Sequence, residues 1–138
     1  MKYKFLDHTA DIMFESYGNS LNELFENSAL ATEDSMINLK QIKPKIRKEI
    51  SLENKNIETL LYDFLSELVY FKDAELLLFS KIKVIIKRDK IYKLKATLEG
   101  EKLTPKHEQK VDVKAITFHK FEIKKIKDKY IARVILDI

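Results

Sequence analysis

At 138 residues with 45% apolar side chains, the chain has the size of one domain and enough apolar mass to bury a real core. It contains no cysteine, which excludes a disulfide framework, a thiolate metal site and a cysteine nucleophile. The net charge of +4 conceals an asymmetry: residues 1–80 hold 9 Lys/Arg against 14 Asp/Glu, whereas residues 81–138 hold 17 against 8.

The chain opens MKYKFLDHTADIMFE, with the polar run DHTAD (Asp7 to Asp11) set between two apolar stretches. A short connection usually carries Gly, Pro or Asn, so two carboxylates, an imidazole and a hydroxyl call for a reason. After Gly18, Ser20 and Glu23 have capping-box spacing, and Leu21, Leu24, Phe25 and Leu30 form an apolar stripe, predicting a first helix. Residues 45–53 alternate as a strand. Asn56 caps a second predicted helix, whose Ile57, Leu60, Leu61, Phe64, Leu65, Leu68 and Phe71 recur at three- and four-residue steps. That regular face is a core face.

Period two then dominates. Residues 76–88 and 91–100 predict a hairpin turning at Asp89-Lys90, and residues 111–126 and 129–138 predict another turning near Lys127-Asp128. Lys81, Lys83, Lys93 and Lys95 alternate with apolar residues, so one face of the first hairpin should be basic. Such a face meets phosphate or an acidic partner, or simply keeps an edge soluble. The polar stretch GEKLTPKHEQK (100–110) interrupts the order and holds His107. The expected architecture is a single α+β domain over 1–138: a largely antiparallel or mixed sheet with two helices packed on one face.

No glycine-rich phosphate loop, His-x-x-x-His pair or EF-hand loop occurs. His8, His107 and His119 would suit zinc if they converged, and otherwise read as hydrogen-bonded structural residues. Oxygen chemistry is better supported. If the first and last strands are neighbours, Asp11, Asp137 and the terminal carboxylate of Ile138 come together, and a hard cation relieves their repulsion. The alternative is that Asp7 and Asp11 cap turns while Asp137 is simply solvated. No apolar run approaches membrane-spanning length and no signal-peptide pattern opens the chain, so a cytoplasmic protein with no membrane partner is expected.

DHTADI, then Gly18-x-Ser20-Leu21-x-Glu23-Leu24-Phe25, resembles the archease family. So do ETLLYDFLSELVYF (58–71), Gly100-Glu101 with His107, VKAITFH (113–119) and the closing VILDI (134–138), in order along essentially the whole chain. The resemblance implies a protein cofactor, not an enzyme. Its partner would be the GTP-dependent tRNA-splicing RNA ligase, which joins 2′,3′-cyclic-phosphate or 3′-phosphate ends to 5′-hydroxyl ends, and RNA would be met through that ligase. The family role is to promote guanylylation of the ligase's active-site histidine and restore multiple turnover. An older reading is a methyltransferase-associated chaperone. The resemblance also implies a metal site for Ca²⁺ or Mg²⁺/Mn²⁺ at Asp11, Asp137 and Ile138. Asp7, His8, His107, Lys114 and His119 match family motifs as candidate supporting residues. Two rival readings are a nucleic-acid-binding module using the basic hairpin with Tyr92 or Phe118, and a small metal-dependent phosphoesterase.

Overall fold

The computed structural model describes residues 1–7 and 10–138. The elements are β1 (Tyr3–Leu6), β2 (Ile12–Gly18), α1 (Leu21–Met36), β3 (Ile46–Asn54), α2 (Ile57–Glu75), β4 (Leu77–Arg88), β5 (Tyr92–Lys102), β6 (Ala115–Ile126) and β7 (Lys129–Asp137). A one-turn 3₁₀ helix, Leu39–Gln41, links α1 to β3.

Both helices start where their caps predict. Ser20 Oγ accepts the Glu23 N–H at 3.1 Å, and Asn56 Oδ1 accepts the Thr59 N–H at 2.9 Å. Glu23 in turn accepts from the Asn19 N–H, one residue before the cap. α2 stops at Leu76, whose left-handed φ of 54° ends the helix and turns the chain directly into β4.

The α+β expectation holds, but the strands form two antiparallel sheets instead of one. The first has the order β1-β2-β7-β6 and the second β3-β5-β4. Each sheet turns an apolar face to the helices. From the first come Phe14, Ala132, Val134 and Leu136, from the second Val84, Leu94, Ala96 and Leu98, all essentially inaccessible. Leu60, Leu61, Phe64, Leu65 and Leu68 of α2 fill the space between them. Each such side chain contributes about 1.5–3 kcal/mol when fully buried. The two glycines mark close approaches. A Cβ at Gly18 would overlap the backbone of Leu24, and one at Gly100 would overlap the Leu78 carbonyl, beside the bulge between Phe79 and Lys81.

Both sheets end in an edge that a helix closes. Along the β4 edge, Asn22, Glu26 and Glu33 project from one side of α1 and accept the backbone N–H groups of Ile86, Val84 and Phe79 at 2.8–3.0 Å. Along the β6 edge, Glu58 of α2 accepts the Ile123 N–H at 3.0 Å. Backbone donors that would invite another strand are thereby satisfied.

The strand predicted over 111–126 begins only at Ala115. Residues 110–111 donate instead to the Met36 and Ser35 carbonyls at the end of α1. Lys72 Nζ holds the next pair, donating to Asp112 Oδ1 at 2.6 Å and to the Val113 carbonyl at 2.7 Å.

Candidate functional site

The antiparallel register fixes what meets at one end of the first sheet. Ile12 pairs with Leu136, the last pair of the ladder, so Asp11 and Asp137 are each the next residue beyond it. Asp137, the last residue of β7, alternates with Leu136 and Val134, which are buried in the core, and so takes the outer face, away from the helices. Asp137 also pairs with Ala115, and its carbonyl accepts the Lys114 N–H at 2.7 Å. Asp11, Asp137, Ile138 and Lys114 therefore all lie at or next to the paired ends of β2, β7 and β6.

Asp137, Ile138 and Lys114 are exposed and Asp11 is partly exposed. Asp7 follows β1 at the same end and is also exposed. His8 lies outside the described residues. Among the described residues, no three Asp, Glu, His or Cys side chains gather closely enough to hold a metal ion. The donor set expected from the sequence, two carboxylates and the Ile138 carboxylate, offers oxygen alone, the chemistry that a hard cation takes.

Lys114 is positioned by what precedes it. Val113 is fully buried, and Asp112 is locked to Lys72. Burial alone would depress the Lys72 ammonium, but hydrogen bonds to Asp112 and Asp73 outweigh it and raise its pKa. The same Lys72 contact holds the Asp112 carboxyl below its usual range, with Lys114 a smaller contributor. Lys72 and Asp112 stand forty residues apart, and no local pattern in the sequence links them.

The other two histidines lie in the 100–110 loop and in β6. The His107 ring is almost fully buried, with Nδ1 accepting the Thr104 N–H at 2.9 Å, which leaves Nε2–H to donate to Glu101 Oε1 at 2.9 Å. Glu101 also accepts the Lys43 N–H and pairs with Lys45. The His107 hydrogen bond is the main reason its carboxyl falls to about 2. His107 is thus a staple for the 100–110 loop. His119 sits on a bulge of β6, where the register jumps from Thr117–Ile135 to Glu122–Arg133. That bulge carries exposed Phe118, stacked on Tyr62 of α2 at 4.0 Å, and Lys120 with φ 55°.

Lys81, Lys83, Lys93 and Lys95 are exposed on one face of the second sheet. β3 adds Glu49 and Glu53 to that face, and β5 adds Glu99 opposite both Arg47 and Lys81. The face is therefore mixed in charge, not purely basic.

A model of the Archease protein family matches residues 3–138. The chain belongs to the archease family. It is 44% identical to the protein archease of Thermococcus kodakarensis over 99% of both chains, and 39% identical to that of Archaeoglobus fulgidus over the whole of both. The solution structure of Methanobacterium thermoautotrophicum protein 1598 superposes with a TM-score of 0.90 at 39% identity, covering 99% of each chain. The crystal structure of a Thermotoga maritima archease, described as a possible chaperone, shares the fold with a TM-score of 0.65 at 23% identity, covering 98% of this chain and 96% of that one. No described helix of this archease-family chain is long and apolar enough to cross a membrane.

Proposed function

We propose that this protein is a cytoplasmic activator of a GTP-dependent tRNA-splicing RNA ligase, a protein cofactor with no catalytic centre of its own. It promotes guanylylation of the ligase's active-site histidine and so permits repeated rounds of joining 3′-phosphate or 2′,3′-cyclic-phosphate ends to 5′-hydroxyl ends. Family membership supports the reading, as does the description of the Thermotoga maritima relative as a possible chaperone, a role exercised on another protein.

The observation that carries it is the β2–β7 register, whose last pair Ile12–Leu136 leaves Asp11 and Asp137 as the next residues of adjoining strands. Two carboxylates at adjoining strand ends repel unless a ligand neutralises them, and a cation is the ligand we assign to them. Asp11, Asp137 and the Ile138 carboxylate would hold Mg²⁺, Mn²⁺ or Ca²⁺. Such a cation, when bound, neutralises phosphate oxygens and favours departure of pyrophosphate. The chain's own contribution is positional. Pairing with β7 would set the spacing of the two carboxylates, and the Lys72–Asp112 clamp holds the segment that leads into Lys114. Because these groups project from strand ends, they can enter a partner's cleft.

The test is ligation of a 3′-phosphate RNA in excess over the cognate ligase, with GTP and Mn²⁺. Adding the wild-type protein should convert one round into many, and Asp11→Ala should not. A wild-type protein that adds nothing refutes the activator role.

A further inference from the structure

The opposite end of the molecule has the complementary character. The tips of both hairpins lie there, with Lys87, Arg88 and Lys90 on one and Lys124, Lys125, Lys127 and Lys129 on the other, all exposed. Only Asp89 and Asp128 offset them within those turns. Seven strand residues separate this end from Asp137, about 23 Å at the usual strand rise.

Between the tips lies a groove of about 410 Å³, within the size range of small-molecule sites. Its floor is aliphatic and half-buried: Leu21 and Ile57 open the two helices, and Ile86 and Ile123 come from one strand of each sheet. Its sides are two cation-aromatic pairs. The Arg88 guanidinium stands over the Tyr92 ring at 5.0 Å, and Lys125 Nζ stands over Tyr130 at 5.5 Å. The pairs come from different sheets and meet only because both hairpins end at this pole.

We propose that this groove binds single-stranded nucleic acid, seating a base against the tyrosines and aliphatic floor with its flanking phosphates on Arg88 and Lys125. The chemistry favours this occupant over an acidic polypeptide. Carboxylates would use the cations alone, whereas a nucleotide presents a flat apolar base and an anion at adjacent positions. The other five cations of the two tips then continue along the backbone. This site lies apart from the acidic end and requires no ligase, so it stands or falls independently of the proposed function.

The test is fluorescence anisotropy of a labelled ten-nucleotide oligouridylate with the full chain alone, titrated between 50 and 200 mM salt, concentrations chosen from the range over which phosphate contacts are read. Wild type should bind, with log K falling by roughly 0.7 per phosphate contacted on a log-salt axis. Arg88→Gln with Lys125→Gln should weaken binding by about tenfold and make the slope shallower by roughly 1.4, the loss of two contacts. Tyr92→Leu, which keeps the charge and an apolar floor, should weaken binding by about tenfold without changing the slope. Lys81→Gln with Lys83→Gln removes equal charge from the second sheet's outer face and should cost little. The proposal is overturned by absent binding, by equal losses in the two charge variants, or by an unaffected Tyr92→Leu. It is also overturned if oligoglutamate displaces the RNA at equal charge concentration, which would mark a groove for an acidic protein.

Discussion

Acidic residues work in two opposite ways in this molecule. Along the helices, Glu26, Glu33 and Glu58 reach sideways to sheet edges and accept backbone N–H groups that have no strand partner. Next to the paired ends of β2 and β7, Asp11 and Asp137 have no such backbone donor among the described residues. The first group explains itself within the fold, because each carboxylate has a donor to satisfy. The second does not, and that difference separates structural acids from the ones we propose to serve a partner.

Glu33 marks the structural extreme. It is fully buried, Oε2 accepts the Phe79 N–H at 3.0 Å, and Oε1 is a buried acceptor without a described partner. Burial pushes its carboxyl up to about 8, against weaker opposing effects of the Phe79 N–H and Lys72. The folded state therefore keeps this proton through neutral pH.

The comparison can be broken most sharply at that residue. Glu33→Ala strands the Phe79 N–H and opens a cavity, so urea unfolding at pH 4.5, where the native side chain's support is still present, should show a loss of about 2–4 kcal/mol. Glu33→Gln keeps the shape and neutrality and should cost less than about 1.5 kcal/mol. The pH profile carries a sign. An unfolded Glu33 ionises near its ordinary 4.5 while the folded one stays protonated to about 8, so the folded state binds the extra proton between these values. Stability from this residue is fully present below 4.5 and lost as pH rises to 8, by up to about 1.4 kcal/mol per pH unit. Glu101 acts in reverse: its lowered carboxyl supports the fold above 4.5 and loses that support as pH falls toward 2. Glu33→Gln should flatten the limb between 4.5 and 8 and leave the acid limb alone.

Smaller effects sharpen the contrast. Lys72→Ala releases the segment before Lys114 and should cost about 1–2 kcal/mol in the same unfolding experiment. Glu26→Ala leaves the Val84 N–H unmatched for about 1 kcal/mol. Asp137→Ala should change stability by less than about 0.5 kcal/mol, or raise it slightly by removing a like-charge neighbour.

Local chemistry made much of the fold legible. The Ser20 and Asn56 caps, the apolar spacing of α2 and both hairpin turns appear in the sequence and at those places in the structure. Division into two sheets was not legible, because period-two alternation says which face of a strand is apolar and nothing about its neighbour. The late start of β6 depends on Lys72, and Glu33 looks in sequence like any acid of an amphipathic helix. At the acidic end, DHTAD stood out because polar side chains replaced turn residues. That its end adjoins the end of β7, more than a hundred residues away, comes only from the β2–β7 register. The mixed face of the second sheet was hidden for the same reason, since β3 brings its glutamates from outside the hairpin.

The most direct test measures unfolding and ligase turnover together on two variants, Glu26→Ala and Asp137→Ala. A crossover is expected: Glu26→Ala loses stability but still supports repeated ligation below its unfolding transition, while Asp137→Ala keeps wild-type stability and supports none. If Asp137→Ala activates the ligase as wild type does, the acidic end is not the working part of this protein.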